Sequence, residues 1–189
     1  NIYTNPGETG GTAGDDDGNG YDDVNGWDFM DSDNDPRPAH ADDSHGTACA
    51  GVAGAAGNNT QGVAGVAFAA KILPVKVIKG PSFATSTVMA NAIRYAAGLT
   101  TPNPWRGADV LSISLTLGSS TTLSTALVDA NTLGRGRKGC AIFCASGNGA
   151  GRWRQGTITL TAGTHTIRWT YQKDSSVSVG QDTAWVDSI

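Results

Sequence analysis

At 189 residues the chain has room for one ordinary domain, or one domain plus a small appendage, and enough length to bury a sizeable core. Its formal net charge is -4, and its 13 Lys and Arg residues are scattered, so no basic stripe offers itself to a phosphate backbone and nucleic acid is excluded as the expected partner. No apolar run approaches membrane-spanning length, and the 26 glycines, which follow no collagen-like period, read as turns and close backbone approaches.

Residues 1–44 are rich in Gly, Asp, Asn and Pro with few apolar positions in any period, and read as loops held by something other than a core. The start at Asn1, without methionine or signal peptide, reads as a processed product or a fragment. Within this stretch Asp15, Asp17 and Asn19 offer oxygen ligands at alternate positions, followed by Asp23, the opening spacing of an EF-hand-type calcium loop. Gly26 stands where such a loop has its bidentate glutamate, so closure falls to another residue such as Asp28, and Asp31, Asp33 and Asp35 form a second acidic run. Calcium is the expected cofactor; a solvated acidic loop is the alternative.

The texture then changes. Residues 45–56 (HGTACAGVAGAA) are small residues suited to a helix packed closely against other backbone. His45 falls in its first turn, where the positive end of the helix dipole disfavours the imidazolium and keeps the ring neutral, as a general base must be at rest. Residues 71–78 (KILPVKVI) read as a buried strand, and residues 85–97 as an amphipathic helix with Val88, Ala92, Ile93 and Ala96 on one face. Residues 109–117 (DVLSISLTL) form the next strand, 123–133 a helix, 134–139 a basic, glycine-punctuated stop, and 140–145 (CAIFCA) another strand. This alternation predicts an α/β fold, a parallel sheet with helices on both faces, whose function gathers at the carboxyl ends of strands such as the loop 146–149.

Cys140 and Cys144 stand about 13 Å apart along a strand, too far to bridge each other. All three cysteines are expected as buried thiols, with a disulfide from Cys49 as the alternative, so the redox compartment is not legible from them. Past Gly151 the pattern becomes period two, with 157–160 and 165–171 flanking a turn and 184–189 a third strand. Two units follow: a core over 1–151 and a short all-β segment over 152–189.

The string Asp43-Ser44-His45-Gly46-Thr47 resembles the histidine motif of the subtilisin-like serine peptidases, the subtilase family. Residues 58–67 with 70–72 resemble the segment that follows it, 109–115 the family's substrate-binding strand, and 143–149 its oxyanion-hole loop, all in family order. The resemblance implies a secreted or cell-surface serine endopeptidase acting on peptides or proteins. It makes His45 the general base, Asn148 (after Gly147) the oxyanion donor, and Ser112, Ser114, Leu115 and Thr116 the strand that receives an extended peptide. Thr116 departs from the family's usual glycine. No Asp-Thr/Ser-Gly strand precedes His45 and no Gly-Thr-Ser-Met-Ala-like turn follows Asn148, so the chain is expected to be a core truncated on both sides and inactive alone. The tail (AGTHTIRWTYQKDSS, DTAWVDSI) resembles the end of a C-terminal β-sandwich module of secreted bacterial proteins. A non-catalytic calcium- or peptide-binding module that kept the fold is the alternative. Oligomeric state is not legible.

Overall fold

A computed structural model of the chain describes residues 1–9, 14–40, 43–100 and 107–145. The elements run β1 (Trp27–Asp28), α1 (Ser44–Gly54), β2 (Val75–Lys76), β3 (Ile78–Lys79), β4 (Ser82–Phe83), α2 (Ser86–Ala96), β5 (Val110–Ile113), α3 (Thr121–Thr132), the short turn α4 (Gly134–Arg137) and β6 (Ala141–Cys144). Two strand pairs are parallel, β1 with β2 and β5 with β6, and β3–β4 is an antiparallel hairpin. Helices between parallel strands make this an α/β arrangement.

The three long helices fall within one to two residues of the positions their sequences predict. In α2 the Thr85 hydroxyl caps the first turn, accepting from the Val88 amide at 3.3 Å. Its buried positions are Met89, Ala90, Ala92, Ile93 and Tyr95, while Val88 is half-buried. The apolar face is therefore rotated from the one expected, because two contacts are served at once. Met89, Ala90 and Ile93 join Ala97, Leu111 of β5, Leu123, Ala126 and Ala130 of α3, and Cys140 in the core. Tyr95 turns to an aromatic cluster with Tyr21 and Phe29, at ring separations of 5.0 and 5.7 Å. Arg94 and Asp129, paired at 3.0 Å, fasten α2 to α3.

The strands are shorter than expected, and among the described residues they form three separate two-stranded sheets. Pro74 sits inside the run 71–78 without an amide to give to a ladder, and the run breaks into the bridge Ile2–Ile72, β2 and β3. The Pro74 carbonyl still accepts from the Trp27 amide at 3.2 Å, which brings β1 alongside β2. The run 109–117 leaves the ladder after Ile113. The turn 134–139 is left-handed at Arg135, Gly136, Arg137 and Gly139; at Gly139 (φ +75°) a β-carbon would stand 1.9 Å from the Asn131 carbonyl oxygen.

Two expectations are corrected. The start of α1 is not closely packed: residues 44–48 are exposed, none of the described residues approaches Gly46 or Gly51, and only Gly54 is buried, against Ile72. Small side chains permit close packing but bring no apolar area of their own to drive it. None of the cysteines forms a disulfide, and Cys140 alone is buried; Cys49 is half-buried and Cys144 exposed. The tail 152–189, with Gly147 and Asn148, lies outside the described residues.

Candidate functional site

His45 is the second residue of α1 and open to solvent. Asp43, at the N-cap position, makes no bond to the helix. Its carboxylate accepts from the amides of Gly80 (2.6 Å), His40 (3.1 Å) and Ala39 (3.2 Å), tying the entry of α1 to the β3–β4 turn. These bonds, Gly80's first, hold the Asp43 carboxyl below its usual range.

The imidazole Nε2 lies 3.0 Å from the carbonyl oxygen of Ser114, a residue 69 positions away. A carbonyl only accepts, so the proton is on Nε2. The Sγ of Cys49, one turn further along α1, lies 3.8 Å from the same nitrogen. Ser114 is the first residue beyond β5, so the histidine stands at the carboxyl end of a parallel strand. Ser112 is exposed within β5, and Ser114, Leu115 and Thr116 follow as irregular, partly exposed backbone. Among the described residues β5 pairs with β6 alone.

The acidic loop divides the expected ligands. Asp15 is exposed and accepts from the amides of Gly18 (2.6 Å), Asn19 (3.0 Å) and Gly20 (2.6 Å), which shapes the turn. Asn19 is buried; its side-chain oxygen accepts from the Tyr21 amide at 2.8 Å, and its nitrogen donates to Asp17 (3.3 Å) and Asp23 (3.0 Å). Asp17 and Asp23 converge with a residue absent from the sequence-derived set, Glu8, and one carboxylate oxygen from each lies within 4.8 Å of the others. This group could hold a metal ion. Burial pushes the Glu8 carboxyl up, as do the charges of Asp17 and Asp23, against the pull of the Asp16 and Asp17 amides. Burial likewise raises Asp23, against hydrogen bonds from Tyr95, Asn19 and Asn5 that lower it. One signal in the sequence pointed to Glu8: it is the only glutamate of the chain, set in a loop.

The second acidic run has protein cations. A cavity of about 270 Å³ is lined by Asp28, Asp31, Asp33, Asp35, Arg37 and Lys76. There Lys76 pairs with Asp28 at 2.7 Å, Lys79 with Asp31 at 2.6 Å and Arg37 with Asp35 at 2.5 Å. The Arg37 bond holds the Asp35 carboxyl down to about 2. Asp28 is thereby committed to Lys76. No helix among the described residues is long and apolar enough to cross a membrane.

The sequence that builds this arrangement is similar to those of known proteins. Thermitase from Thermoactinomyces vulgaris is 39% identical over 127 residues, which is 66% of this chain and 40% of that protein. The thermophilic serine proteinase of Bacillus sp. (strain AK1) is 36% identical over 126 residues, 66% of this chain and 28% of that protein. Kexin from Saccharomyces cerevisiae is 36% identical over 135 residues, 67% of this chain and 15% of that protein. The chain thus spans 40% or less of the length of these relatives. The model of the subtilase family (peptidase S8) matches residues 8–186, nearly the whole sequence, and this chain belongs to that family.

Proposed function

We propose that this chain is part of a secreted serine endopeptidase acting on peptides or proteins. In this reading His45 is the general base, Asn148 with Gly147 forms the oxyanion site, and residues Ser112, Ser114, Leu115 and Thr116 receive the substrate as an added strand. The observation that carries it is the meeting of His45 with Ser114. Base and substrate strand have to adjoin for a peptide laid along β5 to reach the imidazole.

The same contact accounts for a silent chain. A base that takes a nucleophile's proton on Nε2 must carry its own proton on Nδ1, a tautomer held in triads by a buried aspartate. In the contact with the Ser114 carbonyl, which can only accept, Nε2 is instead the donor. The sequence contains neither the family's aspartate motif nor its serine turn, so the 189-residue chain by itself turns over no peptide. In subtilisin, where this was established, loss of triad members leaves only about 10³–10⁴-fold acceleration from the oxyanion hole and binding.

Calcium is the expected ion of the acidic loop, supplying positive charge to carboxylates that otherwise repel. Asp15, Asp17, Asn19 and Asp23 are the donors read from spacing. In the complete unit the parallel sheet carries helices on both faces, and 152–189 is a separate β segment. The family match runs into that stretch, so a structure in which residues 157–171 continue the sheet would refute this separation.

The test uses purified chain, a broad peptide substrate and a serine-directed fluorophosphonate probe, with neither turnover nor labelling expected. Turnover abolished by His45→Ala, or a labelled serine, would show that the chain carries its own nucleophile. A core completed with the family's aspartate strand and serine turn should hydrolyse peptide. If it folds and stays inactive, the roles given to His45 and Asn148 are wrong.

A further inference from the structure

We propose that Glu8, Asp17 and Asp23 form a site for one divalent cation of calcium's class, and that this site pins the N-terminal loop to helix α2 through Tyr95. The proposal rests on the calcium reading above and changes its ligands: Glu8 enters, while Asp15 and Asn19 serve the loop's shape.

The carboxylates alone would be an acidic cluster. What points to a ligand is Glu8, which is 8% exposed, so more than nine-tenths buried. Its Oε1 is fully buried without a hydrogen-bond partner, while Oε2 accepts a long bond (3.3 Å) from the Asp16 amide. Leaving a buried carboxylate oxygen unpaired is costly, and a cation removes that cost. The spacing fits as well. Two oxygens on opposite sides of calcium lie about 4.6–5.2 Å apart, twice the ordinary ligand distance, and the three oxygens here all fall within 4.8 Å.

The other lone pairs are already organised. Asn5, 1% exposed, donates through one nitrogen to Asp17 at 2.9 Å and Asp23 at 3.0 Å, and its own oxygen accepts from the Gly7 amide at 3.0 Å. At Gly7 a β-carbon would stand 2.7 Å from the Asp17 Cβ, so the bare backbone lets Glu8 and Asp17 draw together. The Tyr95 hydroxyl donates to Asp23 Oδ2 from within the aromatic cluster. Partners of this kind orient ligands rather than compete with the ion. Asp15 is exposed, lies outside the group of converging oxygens and shapes the turn through three backbone amides, while the side-chain oxygen of Asn19 accepts from Tyr21.

The experiment is a calorimetric titration of the full chain with calcium chloride, together with melting curves in calcium and in EDTA. Glu8→Gln and Asp17→Asn are expected to weaken calcium binding by at least about tenfold, because each removes a charged ligand. Asp15→Asn keeps the one oxygen that serves the Gly18 and Asn19 amides, losing the bond from Gly20, and is expected to weaken calcium binding far less than either of those changes. Glu8→Gln also relieves repulsion, so it should melt no lower than the unaltered chain in EDTA while losing the rise that calcium produces. Unchanged affinity in Glu8→Gln, or loss of binding in Asp15→Asn with Glu8→Gln intact, overturns this ligand set and leaves the calcium reading standing. No calcium heat from the unaltered chain overturns both.

Discussion

Replacing Lys76 by methionine isolates the most deeply buried ion pair described in the structure. Asp28 of β1 and Lys76 of β2 are register partners across a two-residue parallel ladder. Their side chains are 1% and 8% exposed, and Nζ lies 2.7 Å from Oδ2. The other carboxylate oxygen accepts from the amides of Met30 (2.7 Å) and Asp31 (3.2 Å). Lys76→Met preserves most of the apolar stem and leaves Asp28 charged and buried without its cation, a change that costs about 3–5 kcal/mol. For a chain of this size each kcal/mol moves the melting temperature by about 2–4 °C, so a fall of about 6–20 °C is expected by circular dichroism. Lys79→Met is the control. Its pair with Asp31 is 39% and 33% exposed, and such pairs contribute about 0–1 kcal/mol. Asp28→Asn added to Lys76→Met keeps an acceptor for Met30 and Asp31 but removes the stranded charge, and should recover most of the loss. If Lys76→Met melts no lower than Lys79→Met, the burial argument fails.

Gly139→Ala forces both a left-handed backbone and the contact with the Asn131 carbonyl, whereas Gly136→Ala (φ +64°) meets nothing within 4 Å. The second should cost only the left-handed penalty of about 1–2 kcal/mol, and equal urea midpoints for the two would refute the clash. Tyr95→Phe retains the ring contacts but removes a donor to a charged acceptor, so about 1.5–3 kcal/mol should be lost in urea unfolding; a neutral result would show that Asp23 does not need it. The Lys76 amine loses basicity by burial but gains more from its bond to Asp28 and the nearby carboxylates, and ends above its ordinary 10.5. A raised amine stabilises fully below its unfolded value and loses that contribution as pH rises through the folded one. The stability gap between the unaltered chain and Lys76→Met should therefore hold at neutral pH and narrow above about pH 10.4, the ordinary lysine range; a gap that stays constant as pH rises through that range would contradict the assignment.

The sequence by itself determined the helices, the α/β alternation and the family. Helix periodicity, the Thr85 cap and the motif around His45 are local, each written within a dozen residues and formed by neighbours along the chain. Tertiary structure decided what depends on distant partners. Which face of α2 turns inward depends on α3 and on the ring cluster around Tyr21, and the run 71–78 breaks where Pro74 has no amide to share. The partner of the His45 ring is a carbonyl 69 residues away. The acidic loop shows the difference most sharply. Spacing within 15–23 marked Asp15, Asp17, Asn19 and Asp23; the fold adds what spacing does not carry, bringing Glu8 from outside the motif to Asp17 and Asp23 and setting Asp15 and the Asn19 oxygen against backbone amides of the turn. A spacing motif counts donors along the chain, but where an oxygen points is set by which hydrogen bonds have already claimed it, and those form only when the loop folds.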